Sequence, residues 1–238
     1  MFEINKKIEE KRDLKRAIVS KSFFKTAKGE YGEGDIFIGI SVPESRAIAK
    51  DFLNLNFKEI KTLLNDKIHE KRLIALIILV EKFNRANKEE KRKIFKFYLE
   101  NRKFVNNWDL VDLSADKIIG NFIYNFGKEY PNYEGILRKF AKSKNLWDRR
   151  ISIISTFFFI KQNYFKESIY ISRLLIKDDH DLIHKAVGWV LREIGNRNKE
   201  CLENFLKKHY EKMPRTMLRY SIEKFNKKEK KKYLNGKI

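Results

Sequence analysis

The sequence predicts an all-α fold of stacked antiparallel helix pairs, and three observations carry that reading. Only 10 Gly and 3 Pro interrupt 238 residues, which favours long helices over many short strands. Two segments, LIALIILVEKF (73–83) and ISIISTFFFI (151–160), are apolar almost all round, so each must be covered on several sides. Arg72, Asp112, Arg150 and Trp189 each sit on a strongly apolar helical segment, at a spacing of about 38–40 residues. Stacked pairs sandwich one helix of each pair between neighbours. These four residues would then hold equivalent places on successive inner helices and line one concave face.

Residues 2–22 read as helix, with apolar positions at Phe2, Ile4, Ile8, Leu14 and Ile18 on a Lys/Glu-rich surface. The stretch KTAKGEYGEGDIFIGISVP (25–43) is the one long irregular segment, an ordered loop marked by its glycines and by Tyr31 and Phe37. Pro43, with Ser41 before it and Glu44 after it, makes a good helix start. Helical segments then follow with short breaks over 44–54, 57–65, 68–83, 88–101, 107–127, 133–142, 146–162, 165–176, 180–196, 199–209 and 214–235. The reading is one helical-repeat domain over 1–238. It has N-terminal helices and a Gly-rich loop over 1–43, HEAT-like repeats over 44–225, and a solvated Lys-rich end over 226–238 able to add non-specific phosphate contacts.

Lys and Arg number 53 against 32 Asp and Glu, a net charge of +21. Such an excess opposes compaction by self-repulsion, and nucleic acid is the commonest polyanion that gives it a use. A codon bias toward Lys accounts for the Lys content but less well for the low acidic count. With 42% hydrophobic residues and 19 Phe, disorder of the whole chain is excluded. Cys201 is the single cysteine and reads as a small packed side chain. It permits no intrachain disulfide, which fits a reducing cytoplasm. The charged start MFEINKKIEEKRDLKR does not read as a signal peptide, and none is expected. The run Ile151–Ile160, between Arg150 and Lys161, is about half the length of a membrane span. The expectation is a cytoplasmic monomer, nucleoid-associated when bound to DNA and without membrane attachment.

All three tryptophans stand beside charges. In VNNWDLVDLSADK (105–117), Trp108 and Asp112 are four apart and share a helix face, and Val111 and Leu113 flank the carboxylate. In SKNLWDRRISI (143–153), Trp147 and Arg150 share a face. In HKAVGWVLREIG (184–195), Lys185, Trp189, Arg192 and Glu193 fall on one stripe. Each feature also has a plain structural reading. The tryptophans could be core aromatics, Asp112 a helix cap or the partner of an arginine, and Arg149 and Arg150 ordinary surface. Together with the spacing and the charge, they point to a site. GEYGEG (29–34) lacks the strand–turn–helix setting and the Lys-Ser/Thr of a P-loop, so it reads as a structural loop or a backbone contact to phosphate. His180 and His184, near Asp179 and Asp181, have a metal-compatible spacing but lack the intervening glutamate of zinc proteases. No metal or cofactor is expected.

WDLVD (108–112), LWDRR (146–150) and KAVGWVLRE (185–193) resemble the AlkD-like DNA alkylation repair enzymes, the DNA-7-methylguanine and 3-methyladenine glycosylases. FIGISVPESR (37–46) resembles their Gly-x-x-x-Pro-x-x-Arg stretch, and the likeness runs from about residue 20 to about 225. The resemblance implies a right-handed superhelix of HEAT-like repeats with double-stranded DNA along a basic concave groove. It implies Asp112 as the catalytic carboxylate, Trp108 and Trp189 as aromatic walls beside the lesion, and Arg150 as a contact to the DNA backbone. Arg149, Lys185, Arg192, Arg72, Lys25, Lys28 and Arg46 are expected to meet DNA as well. Where some members carry Tyr in the second helix, this chain has Phe23 beside Phe24, so a hydroxyl contact is lost there unless Tyr31 replaces it.

These residue types suit the implied chemistry. A purine alkylated at N7 or N3 is cationic, and its departure as a neutral base leaves positive charge on the sugar. A fixed carboxylate stabilises that charge or orients water. Indole faces attract cations by about 0.5–2 kcal/mol each. Many enzymes of this kind flip the base into a closed pocket, whereas the resemblance implies a lesion exposed on a bent duplex and no such pocket. The alternatives are a non-catalytic protein recognising damaged or branched DNA, and a protein-binding helical scaffold, for which an exposed apolar groove is expected.

Overall fold

The computed structural model describes residues 1–133 and 135–236, without the side chain of Asn132. Lys237 and Ile238, at the tip of the Lys-rich end, lie outside the described residues. The chain forms two compact units, Met1–Ser114 and Ala115–Ile238. Among the described residues there is no strand, only an isolated parallel bridge between Ile36 and Ile68. The all-α helical-repeat reading holds.

The first unit contains α1 (Phe2–Glu10), α2 (Leu14–Phe23), α3 (Val42–Asp51), α4 (Phe57–Leu64), α5 (His69–Arg85), α6 (Lys88–Asn101) and most of α7 (Trp108–Ala115). Residues 2–22 are therefore two helices. Asp13 ends the continuity, because its side chain caps α2 by accepting from Arg16 N at 3.0 Å. Ile4 and Ile8 are fully buried, while Phe2, Leu14 and Ile18 face solvent and Ala17 is the buried contact of α2. Ser41 and Glu44 cap each other at the start of α3, with Pro43 in its first turn. The all-round apolar α5 is the hub, packed by α3, α4 and α6.

The second unit begins with a five-residue π-turn, Asp116–Gly120, followed by α8 (Asn121–Phe126), α9 (Ile136–Ala141), α10 (Leu146–Lys161), α11 (Lys166–Leu174), α12 (Asp181–Arg197), α13 (Lys199–His209), α14 (Arg215–Ser221) and α15 (Lys227–Leu234). The expected helix 107–127 is present as continuous helical backbone over 108–126, with that π-turn inside it. At the turn Gly120 lies against the backbone of Ser155, so closely that a Cβ would fall 2.0 Å from Ser155 O. The expected helix 214–235 is two helices, since Asn226 and Glu229 form a capping box that restarts the chain at α15. Two sandwiched helices organise the unit: α10 packs on α9, α11 and α12, and α12 packs on α10, α11, α13 and α14.

Candidate nucleic-acid interface

In the first unit the short N-terminal turn of α7 presents Trp108 and, one turn on, Asp112, both half-buried. Their i, i+4 spacing puts them on one face. The Trp108 ring lies parallel to Phe24, with centroids 5.2 Å apart and planes 12° apart, and meets the edge of Phe23 at 5.8 Å. Phe24 in turn stacks on Phe37 at 4.8 Å, and Phe37 on the imidazole of His69 at 4.5 Å. Phe23 is 62% exposed.

His69 opens α5 and is buried. Its Nδ1 lies 3.1 Å from Asp35 Oδ2 and its Nε2 lies 2.8 Å from Asp109 Oδ2. Burial alone would lower its pKa, but the Asp109 and Asp35 carboxylates outweigh burial and raise it to about 9. Burial likewise opposes ionisation of Asp35, but hydrogen bonds from His69 and Arg72 hold its carboxyl below the usual range. The neighbouring Glu70 is buried too. Its Oε1 accepts the backbone N–H groups of Ile38 (3.1 Å), Gly39 (2.8 Å) and Ile40 (3.3 Å). Gly39 has φ +85°, and a Cβ there would fall 2.0 Å from Asp13 O, so glycine is required where the loop crosses the start of α2.

Lys25, Lys28 and Arg46 are exposed, as a phosphate contact needs. Arg72 is not. It is 6% exposed, and its Nη2 lies 2.6 Å from Asp35 Oδ1, so the expectation that it meets DNA is corrected: the guanidinium is a structural cation inside the fold. The loop 25–36 is folded by its own acids. Glu30 accepts from Ala27 N and Glu33 from Gly29 N, leaving GEYGEG in the service of turn structure.

In the second unit Trp189 is half-buried on α12 and packs on Phe157, with ring centroids 4.5 Å apart. Arg150 is 4% exposed, and its Nη1 donates to Leu182 O at 2.6 Å, tying α10 to the first turn of α12. It lies inside the unit rather than at a surface open to a DNA backbone, which corrects the role expected for it. Arg149 is also held internally, by Asp178 at 2.6 Å and by the carbonyls of Ser143 and Lys144. Arg192 pairs with Glu223. Lys185 makes a surface pair with Asp181 at 2.7 Å, the kind of pair that exchanges readily for a phosphate. Trp147 is half-buried. His180 caps α12 by accepting from Leu182 N at 3.1 Å, and His184 donates to Asp178 O, so the two rings serve helix structure.

Sequence reasoning missed Asp35, His69, Glu70 and Asp109. The available signal was HEKR (69–72), four polar residues opening the most apolar helix of the chain, where burial demands partners.

The fold and the charge first define a class: an all-α helical-repeat protein with a strongly cationic composition. A family described as "DNA alkylation repair enzyme" matches residues 4–225. The chain belongs to that family; its role is DNA alkylation repair, and DNA is its partner. Among solved structures it is similar to a "predicted DNA alkylation repair enzyme from Enterococcus faecalis", with TM-score 0.71 and 19% identity over 91% of this chain and 98% of that one. AlkD2 from Streptococcus mutans is similar at TM-score 0.55 and 18% identity, over 90% and 98% of the two chains. The smu.31 protein from Streptococcus mutans UA159 follows at 0.52 and 21%, over 76% and 89%. No curated protein matches. Among the described residues no helix is long and apolar enough to cross a membrane.

Proposed function

We propose that this protein is a DNA glycosylase that hydrolyses the bond between deoxyribose and a cationic N7- or N3-alkylated purine in duplex DNA. The observation that carries the reading is the pairing, on one face of α7, of a half-buried carboxylate, Asp112, with an indole held rigid by a parallel phenyl ring. The C1′–N bond breaks with its electron pair going to the base, which leaves neutral. The positive charge left on the sugar is stabilised by Asp112. Water forms the new C1′–O bond and loses a proton to Asp112 or solvent. Trp108 offers its open side to the cationic base or sugar, worth about 0.5–2 kcal/mol when desolvated. Within the second unit Trp189 is assigned an aromatic contact to DNA, and Arg150 the task of holding the helix that carries it. Lys25, Lys28, Arg46 and Lys185 supply phosphate contacts. The base does not enter a closed pocket, and the protein acts as a monomer.

The test is release of free 7-methylguanine from methylated duplex by the wild type and by Asp112→Asn. The variant should lose about 100-fold or more in rate while keeping DNA affinity. Equal release by both removes Asp112 from the chemistry. A wild type that binds DNA and releases nothing leaves the second reading, a non-catalytic protein recognising damaged DNA. That reading is favoured by one observation: Phe23 puts a bare, exposed ring beside Trp108 where a hydroxyl is expected.

A further inference from the structure

We propose that His69 is the positioning residue for Trp108, fixing both the chain on either side of it and the plane of its indole through a buried, charge-balanced clamp. What Trp108 does for substrate rests on the glycosylase reading. That His69 positions it rests on geometry alone.

Two independent connections run from His69 to Trp108. The first is through the backbone. Asp109, the residue after Trp108, is bonded through Oδ2 to His69 Nε2 at 2.8 Å, while its Oδ1 accepts from Leu110 N at 2.8 Å in the first turn of α7. Asn107, the residue before it, donates through Nδ2 to Asp35 Oδ2 at 3.2 Å, the same oxygen that lies 3.1 Å from His69 Nδ1. The Asn107 side-chain oxygen also accepts the Trp108 N–H at 2.8 Å. Both neighbours of Trp108 are thus tethered to one cluster. The second connection is a column of rings, Trp108 on Phe24, Phe24 on Phe37 and Phe37 on His69, each pair tilted by 22° or less.

The clamp needs a charged imidazole. Nε2 faces an Asp109 oxygen, which only accepts, and Nδ1 stands between an Asp35 oxygen at 3.1 Å and Arg72 Nη2 at 3.3 Å; a proton on both nitrogens lets the ring donate to both carboxylates. The charged groups facing the ring are Asp35 from the loop, Asp109 from α7 and Arg72 from α5, whose Nη2 lies 3.3 Å from His69 Nδ1 and pairs with Asp35. Two cations meet two anions, which is how a buried set of this kind is tolerated. Loss of the His69 proton would remove one of the two cations that balance Asp35 and Asp109 and leave one carboxylate without its imidazole donor. The strain would pass through Asp109 to α7 and through the ring column to the indole.

The experiment uses the full-length protein labelled with 5-fluorotryptophan and read by fluorine NMR, with the three resonances assigned by single Trp→Phe variants. The Trp108 resonance should titrate with a midpoint near pH 9, the value at which His69 loses its proton. The Trp147 and Trp189 resonances should not follow it. His69→Gln should displace the Trp108 resonance at neutral pH and abolish the titration. Should that variant fail to fold, Asp109→Asn decides instead: removing one carboxylate should move the midpoint to lower pH. A Trp108 resonance flat from pH 6 to 10 in folded wild type, or a midpoint unmoved in Asp109→Asn, overturns the proposal. None of these readouts needs catalysis. The clamp can therefore stand while the glycosylase reading falls, and base release can be intact while the clamp falls.

Discussion

Gly188, inside the KAVGWVLRE segment and next to Trp189, is a position where one methyl group decides the packing of the second unit. An alanine Cβ there would sit 2.5 Å from Tyr220 Cβ and 2.6 Å from Met217 O, both on α14. Ordinary contact needs about 3.5 Å, so α14 must retreat by about 1 Å. Neither obstacle is the flexible end of a side chain, so rotamer changes give no relief. Overpacking of this kind costs about 1–3 kcal/mol, and the helix preference of Ala over Gly returns about 0.5–1 kcal/mol. The expected net loss is about 1–2 kcal/mol, read as a fall in Tm of about 2–8 °C for a chain of this length. Differential scanning calorimetry measures it, with Asn196→Ala on the same helix as the control for helix preference, since Asn196 is exposed. Gly120→Ala should be worse, because its Cβ would fall 2.0 Å from the backbone oxygen of Ser155. If Gly188→Ala raises Tm, as helix preference alone would have it, the close approach of α12 and α14 is refuted.

Glu70→Gln should cost about 1–3 kcal/mol by urea denaturation, because the charge that three backbone N–H groups share is lost; an unchanged midpoint would show that the carboxylate is not needed there. The pKa of His69 is raised from 6.5 to about 9, so its contribution to stability is whole below pH 6.5 and drains away as pH rises through 9. Urea midpoints should fall over that window in the wild type and stay level in His69→Gln, and a wild-type midpoint that rises would contradict the ionised cluster. Binding to duplex DNA should weaken steeply with salt, with a log–log slope near about −5 if about six phosphates are contacted. A slope near zero would favour a protein-binding scaffold instead.

Much of the helical order was legible because its punctuation is local. Ser41, Pro43 and Glu44 announce α3, and the segments read at 57–65 and 88–101 end within a residue of α4 and α6. The split at 222–226 went unread: Asn226 and Glu229 have capping-box spacing, but the Lys-rich run masks it. The π-turn at 116–120 has no local signature: it depends on how closely Gly120 meets Ser155, thirty-five residues on. Of the proposed site, the shared helix face of Trp108 and Asp112 follows from their four-residue spacing, whereas Asp35, His69 and Asp109 come together only through the fold. Charge counting misled at Arg72 and Arg150, because composition does not say which cations neutralise carboxylates or carbonyls indoors.

Four arginines expected at the nucleic acid, Arg72, Arg149, Arg150 and Arg192, have their planar forks engaged by the protein itself. The cations left facing outward are then mostly lysines, compact and well hydrated, which attract a polyanion without dictating one orientation on it. Such a surface should grip any stretch of duplex about equally and let go at little cost. The protein would travel along undamaged DNA by sliding and hopping, and arrest would depend on the chemistry of the altered base rather than on the letters around it.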